Sequence, residues 1–216
     1  MFDLNPSSSV SGKASAILLI AAAAAVARAD QGDVLAIARS YPDGGGYNRT
    51  WAGSGTPAAV MHRGQQVLAT GTDGTYCCGF TFCVAMQALQ QRGLLNDKSF
   101  AEVKHFQKLW YGATELKEDT LCVLAVETLG VGQAVALEDS QPGDFLQLWR
   151  TNGSGHSVIF LEWIEQSGTR VGFRYRSSQG STAGIADAVE YFSGVSGAEG
   201  RVDRSRTFAC RLNSTP

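Results

Sequence analysis

The sequence lacks any block of like charges. Its 18 Lys and Arg residues nearly balance its 20 Asp and Glu residues, which gives a formal net charge of -2 at pH 7. A protein that binds nucleic acid through the phosphates needs a basic patch or stripe on its surface. Because the sequence shows no such electrostatic footprint, we expect no nucleic-acid partner.

Zinc-ligand spacings and long apolar runs are also missing. The cysteines and histidines match no zinc pattern, since neither the adjacent Cys77-Cys78 pair nor the isolated His62 and His105 supplies a tetrahedral ligand set. The apolar run at residues 14–26 is too short for a comfortable membrane span. The composition therefore favours neither a zinc centre nor an integral membrane protein.

The start of the chain resembles an export signal. Lys13 precedes the apolar run, and Ala27-Arg28-Ala29 follows it with the small-x-small pattern typical of signal-peptide cleavage sites. We interpret residues 1–29 as a signal peptide cleaved before Asp30, which would make the protein secreted or periplasmic. The alternative is an alanine-rich first helix of a cytoplasmic protein, because alanine has the highest helix propensity. Residues 30–216 suit a single domain with a well-buried core.

Helical patterns precede strand patterns along the chain. Apolar periodicity predicts helices over residues 33–40, from the cysteine pair to Gly93, and over 97–111 and 116–129, the last two forming a helical insertion at about 95–130. Strands are predicted over 134–137, 144–150, 157–164, 171–177 and 206–212, while 185–192 fits either a helix or a strand-loop mixture. Helices followed by an antiparallel sheet describe an α+β domain.

The adjacent thiols of Cys77 and Cys78 lie where an amphipathic helix begins, since Phe80, Val84 and Leu89 recur at helical spacing. Unpaired backbone N–H groups and the helix dipole favour a thiolate at such a position. This is the setting of a catalytic nucleophile.

The remaining cysteines carry no comparable signal. Cys83 lies on the same predicted helix and Cys122 on an apolar stretch, so both are expected to be small buried residues. The sequence leaves open whether Cys210 bridges to another cysteine. With five cysteines, at least one thiol stays unpaired, as a catalytic thiol must.

His156 opens the second of two predicted strands, so a cysteine early in the chain is followed by a histidine late in it. A hairpin centred on Ser167-Gly168 pairs positions whose numbers add to about 335, which places Gln179 opposite His156. A glutamine carbonyl there can accept the proton of one imidazole nitrogen and present the other nitrogen to the thiol. Ser177, on the same strand face, is the alternative orienting residue. A surface position for Gln179 and a structural role for His156 stay open.

Two motifs resemble those of a known family. Tyr76-Cys77-Cys78-Gly79-Phe80 resembles the Asp-Cys-Ser-Gly-hydrophobic motif of NlpC-type cell-wall peptidases, members of the papain-like cysteine peptidase superfamily that also includes the CHAP amidases. Pro142-Gly143-Asp144-Phe145 and Gly155-His156-Ser157-Val158 resemble the Gly-Asp-hydrophobic and Gly-His-Val-Gly strands of that family. The resemblance covers about residues 34–178. It implies a papain-like fold, in which the nucleophile begins a helix packed on an antiparallel sheet that carries the histidine.

The resemblance also implies roles for individual residues. Cys77 takes the position of the nucleophile, His156 that of the base, and Gln179 lies near the third polar position. Because Tyr76 replaces the family's aspartate and Cys78 its serine, a shift of one residue that makes Cys78 the nucleophile stays open.

A tyrosine upstream of the nucleophile, near a Gly-Gly pair, often helps to hold the oxyanion in this family. Tyr47 follows Gly44-Gly45-Gly46 and is similar to that residue, although the order and spacing differ. The alternative is a tyrosine in a surface turn. Trp51, Trp110, Trp149 and Trp163 offer lining for a peptide or glycan groove, but tryptophans with these spacings are more often packed in the core.

The family resemblance implies a cysteine peptidase or amidase that cleaves amide bonds in peptidoglycan stem peptides and requires neither a metal nor a cofactor. Two alternatives stay open. One is a papain-like acyltransferase or deamidase that acts on a protein or lipid. The other is a catalytically inactive binding module. This alternative stays open because Tyr76 replaces the family's aspartate.

Overall fold

The structure, a computed structural model, describes residues 31–116, 118–195 and 199–215. The predicted signal peptide, residues 1–29, lies outside the described residues. Within them the chain combines helices with an antiparallel sheet, so the predicted α+β class is confirmed. Among the helices of these ranges, none has the length and apolarity needed to cross a membrane.

The helices begin and end close to their predicted positions, with one exception. They are α1 (Gly32–Ser40), α2 (Cys77–Gln91), α3 (Phe100–Trp110) and α4 (Cys122–Leu129). The prediction of a helix over 116–129 was wrong for residues 116 and 118–121, which are described and are not helical. Leu121 has a φ of 29°, which no α-helix accommodates, and Trp149 donates its indole N–H to the backbone oxygen of Asp119 (2.8 Å). These features keep the preceding segment out of the helix.

The strands confirm most of the pattern predicted from the sequence and extend it. The strand predicted over 134–137 is shifted, because it spans Gly132–Val135 and Leu137 begins a short 3-10 helix, Leu137–Asp139. They are β1 (Gly44–Gly45), β2 (Val60–His62), β3 (Gln65–Leu68), β4 (Gly132–Val135), β5 (Phe145–Arg150), β6 (Gly155–Gln166), β7 (Thr169–Gln179), β8 (Gly184–Tyr191) and β9 (Val202–Leu212). The ambiguous segment 185–192 is mostly strand, because β8 pairs with β7 over its whole length.

The main sheet has the strand order β1-β8-β7-β6-β5-β9-β4 and is antiparallel throughout. Ser167 and Gly168 have positive φ values of 50° and 75°, as a two-residue hairpin turn between twisted strands requires. Across this hairpin Ile159 pairs with Arg176 and Phe160 with Tyr175. This is the predicted register.

Two apolar clusters cover the two faces of the sheet. On one face the helices pack against Phe145, Ile159 and Ile185. The other face carries Val158 and Phe160 together with further large side chains of β5, β7 and β9. Neighbouring residues of β6 thus alternate between the clusters, as strand geometry requires. Helix α2 lies at the centre of the helical layer and is buried along most of its length.

Candidate active site

The backbone before α2 fixes the position of Cys77. Thr75 donates its N–H to the oxygen of Gly46 (3.0 Å) and accepts the N–H of Asn48 (2.9 Å). Tyr76 is extended, with φ −135° and ψ 167°, and α2 begins at the next residue. Cys77 therefore stands in the first helical turn, where backbone N–H groups lack helical partners.

The first turn of α2 lies so close to the loop before it that two glycines are required. A Cβ at Gly79 would lie 2.3 Å from the backbone oxygen of Gly55, and a Cβ at Gly55 would lie 2.3 Å from the ring of Tyr76. Tyr76 also donates its hydroxyl to the oxygen of Gly53 (2.7 Å). This tyrosine anchors the loop over the start of the helix.

His156 is the second residue of β6 and is only 4% exposed. It pairs with Leu148 of β5. On the other side of β6, the pairing with β7 runs from Gln166 only as far as Ile159. Ser157 therefore lies beyond the end of that ladder, and its backbone oxygen accepts the hydroxyl of Ser177 instead (2.6 Å). The strands part where the start of α2 approaches the sheet.

A buried polar chain joins α2 to β6 beside the thiol. The hydroxyl of Thr81 hydrogen-bonds with the hydroxyl of Ser157 (2.9 Å) and donates to the oxygen of Cys77 (3.0 Å). Trp110 of α3 donates its indole N–H to Thr81 (3.1 Å). Since buried polar groups are costly when unpaired, this series of hydrogen bonds fixes the distance between the start of α2 and strand β6.

The two thiols differ in their electrostatic environment. A hydrogen bond from Cys78 is the largest cause that lowers the pKa of Cys77 well below its usual value, against the effect of burial. The charge of His156, a hydrogen bond with its imidazole and the N–H of Ser157 act in the same direction. The bond to Cys77, with burial, raises the pKa of Cys78 well above its usual value. The geometry thus favours a thiolate at Cys77.

A partly buried ion pair lies behind His156. The imidazole contacts the ring of Tyr175 edge-on, with centroids 5.4 Å apart, and Tyr175 donates its hydroxyl to Glu190 (3.0 Å). Arg150 donates its Nε–H to the same carboxylate (2.8 Å). Burial raises the pKa of Glu190, but hydrogen bonds from Arg150, together with the charges of Arg150 and His156, outweigh it and lower the pKa.

Gln179 lies opposite His156 when the β6–β7 register is continued, but its side chain is engaged elsewhere. Its Nε2 donates to the hydroxyl of Thr182 (2.7 Å) and to the oxygen of Ala186 (3.4 Å). Among the described residues, Oε1 of Gln179 and Nε2 of His156 are both buried without a hydrogen-bond partner. The predicted orienting bond is therefore not formed here, although an acceptor and a nitrogen suited to it are both free. Ser177 donates to Ser157 and not to His156.

Tyr47 is half-buried next to the thiols. Burial is the main cause that raises its pKa to about 12, and the charges of Cys77 and Cys78 add to it. It forms an isolated bridge with Thr75, two residues before Cys77. The hydroxyl therefore lies in the neighbourhood that an oxyanion-binding tyrosine would need.

Compared with models of protein families, with curated proteins and with solved structures, the chain has no significant match. The candidate site thus stands on its own geometry. Within the residues that the structure describes, no group of three or more His, Cys, Asp or Glu side chains could hold a metal ion. The chemistry that these residues can perform is nucleophilic attack by a thiolate beside an imidazole.

Sequence reasoning did not find the residues that support this pair. Thr81 lies one helical turn after Cys77, and that spacing alone was the available signal. Arg150 and Glu190 each follow apolar residues in their strands, a pattern that suggests a partly buried charge without revealing its partner. Their proximity depends on Val202, at the start of β9, which pairs with Arg150 and bridges to Phe192, two residues after Glu190.

Proposed function

We propose that the protein is a cysteine hydrolase that cleaves amide bonds, with Cys77 as nucleophile and His156 as general acid and base. One observation carries the proposal: Cys77 is the first residue of a buried helix and lies beside the imidazole of His156, which, together with the hydrogen-bonding neighbours, lowers the pKa of the thiol. A thiolate in that position is the nucleophile that acyl chemistry requires.

In the proposed reaction the Cys77 thiolate attacks the amide carbon and the C–N bond breaks as His156 delivers a proton to the leaving amine. A thioester remains on Cys77. His156 then takes a proton from water, the hydroxide attacks the thioester, and the carboxylic acid leaves as the thiolate is restored. Backbone N–H groups of the first turn of α2 stabilise the oxyanion, and the hydroxyl of Tyr47 is the candidate for a further donor.

The finer proposal is a papain-like, NlpC-type enzyme acting on peptidoglycan stem peptides. The motifs around Cys77 and His156 support it, as does the packing of the nucleophile helix on an antiparallel sheet whose strand β6 carries the histidine. The raised pKa of Cys78 argues against the one-residue shift, because a thiol that holds its proton is the poorer nucleophile.

Incubation of the full chain with purified peptidoglycan fragments, followed by mass spectrometry, tests the proposal. We expect new pairs of free amine and carboxylate ends, lost in Cys77→Ala and in His156→Gln. His105→Gln is the matched control, because His105 is exposed on α3. Transfer of the acyl group to an added amine would indicate an acyltransferase, and release of ammonia a deamidase. Binding without any product would indicate an inactive module.

A further inference from the structure

The turn at residues 48–52 is built around one buried amide. Asn48 is 3% exposed, and its Oδ1 accepts the N–H and the hydroxyl of Thr50 (2.9 and 2.8 Å). Its Nδ2 donates to the oxygen of Ala52 (2.9 Å). The backbone N–H of Asn48 donates to Thr75, two residues before Cys77. The turn is therefore braced internally and fixed relative to the candidate nucleophile.

Trp51 occupies an unfavourable state in this turn. Its side chain is 56% exposed and its φ is 58°, in the left-handed region that non-glycine residues rarely adopt. Such strain persists where the surrounding structure enforces it, often at functional sites. The indole packs on Tyr76 and Tyr47, with ring centroids 5.1 and 6.0 Å away. The charges of Cys77 and Cys78 act on both tyrosines. An exposed aromatic face thus borders the thiols.

Arg49, from the same turn, faces the other side of the site. A Cβ on Gly180 would lie 3.0 Å from an Nη atom of Arg49, and Gly180 directly follows Gln179 at the end of β7. Arg49 is exposed and makes no ion pair or hydrogen bond among the described residues, whereas Arg150 is paired with Glu190. Its charge reaches the hydroxyl of Tyr47. A guanidinium without an anion therefore stands at the end of β7, within range of Tyr47.

We propose that this braced turn recognises the peptide substrate of the candidate site. Arg49 binds a carboxylate of the substrate near the scissile amide, and Trp51 covers planar amide groups of the same substrate. The substrate class is therefore an acidic peptide. A planar guanidinium suits bidentate binding of a carboxylate, and an exposed indole offers a large, rigid face. The inference rests on the proposed function of Cys77 and His156.

Two alkylating agents test the role of Arg49 without any peptide. Iodoacetate carries a carboxylate and iodoacetamide does not, so the ratio of their rates at Cys77 reports the local preference for an anion. We expect the ratio to fall about two- to fivefold in Arg49→Gln, a range typical of an exposed charge, and further in Arg49→Glu. Arg63→Gln is the matched control, since Arg63 is also exposed and its guanidinium bonds to Asn96, beyond the other end of α2. High salt should reduce the difference between the variants.

Peptide substrates give a second readout. In Arg49→Gln the KM of an acidic peptide should rise with little change in kcat, while that of the same peptide with its carboxylates amidated should not change. Trp51→Ala should raise the KM of both peptides, and Trp51→Phe should raise it less. A ratio of alkylation rates unchanged in Arg49→Gln, at a Cys77 that reacts rapidly, would overturn this inference and leave the proposed function standing. If Cys77 reacts no faster than a free thiol, the proposed function fails and the inference falls with it.

Discussion

The hydroxyl of Ser177 donates to the backbone oxygen of Ser157 over 2.6 Å, where the β6–β7 ladder has already ended. This bond replaces a missing ladder bond and keeps the two strands together at the point where they begin to part. The N–H of Ser157 then remains for Cys77, whose pKa it helps to lower. A serine side chain thereby controls the width of the gap in which the thiol and the imidazole meet.

Ser177→Ala should destabilise the fold by about 1–3 kcal/mol, the cost of leaving a buried acceptor unpaired, and should slow alkylation of Cys77 near neutral pH. Chemical denaturation and iodoacetamide rates measure the two effects. Ser205→Ala is the control, because Ser205 bonds to Asp203 on the exposed surface. Equal effects of both substitutions would contradict the role assigned to Ser177.

Cys78→Ala should raise the pKa of Cys77, because a hydrogen bond from Cys78 is the largest cause that lowers it. The rate of alkylation of Cys77 rises with pH as the thiolate forms, so its profile should move to higher pH. Cys78→Ser retains a donor and should show a smaller shift. A profile that does not move in Cys78→Ala would show that Cys78 does not stabilise the thiolate.

Glu190→Gln should lower the free energy of unfolding at pH 7 by about 3 kcal/mol, since it leaves the largely buried Arg150 without its carboxylate. The pKa of Glu190 is lowered in the folded state. Its contribution to stability is therefore complete above its unfolded-state pKa of about 4.3 and is lost as the pH falls through the lower folded-state value. Denaturation at graded pH should show this acid sensitivity in the wild type and less of it in the variant.

Glu162→Gln is the control for that experiment, because Glu162 pairs with Arg174 on the exposed surface. Its removal should change the stability by less than about 1 kcal/mol. If Glu190→Gln proved no more destabilising than Glu162→Gln, the ion pair behind His156 would not be a structural support of the site.

Gly79→Ala should destabilise the protein by about 1–3 kcal/mol, as overpacking typically does, and should lower the reactivity of Cys77. The added Cβ would lie 2.3 Å from the backbone oxygen of Gly55, so the loop over the helix start must move. Gly32→Ala, at the start of α1, is the control, because nothing lies within 4 Å of a Cβ there. Thermal denaturation of both variants decides the matter, and similar melting temperatures would contradict the packing described here.

The register of the β6–β7 hairpin could be predicted because Ser167-Gly168 fixes a two-residue turn and the apolar alternation fixes the faces. The same reasoning placed Gln179 opposite His156. It could not predict that the Gln179 amide donates to Thr182 and Ala186, since the direction of a side chain depends on neighbouring strands. The orienting role of Gln179 stays a prediction.

The helix beginning at Cys77 was also predictable, from its apolar periodicity. The residues that support the thiol could not be predicted in the same way. Glu190 belongs to a segment whose pattern did not distinguish helix from strand. It meets Arg150 because Val202, at the start of β9, pairs with Arg150 and also bridges to Phe192, two residues after Glu190. Helix α4 is shorter than predicted because Leu121 has a positive φ, and local helix propensity does not encode that backbone angle.

The rate of iodoacetamide labelling at graded pH, with mass spectrometry to locate the modified cysteine, tests the central claim most directly. The account predicts that Cys77 of the full chain labels faster than a free thiol below pH 8.5, the approximate pKa of free cysteine. It also predicts that His156→Ala moves the profile of Cys77 to higher pH. Preferential labelling of Cys78, or labelling of Cys77 no faster than that of a free thiol, would contradict the assignment of Cys77 as the activated nucleophile.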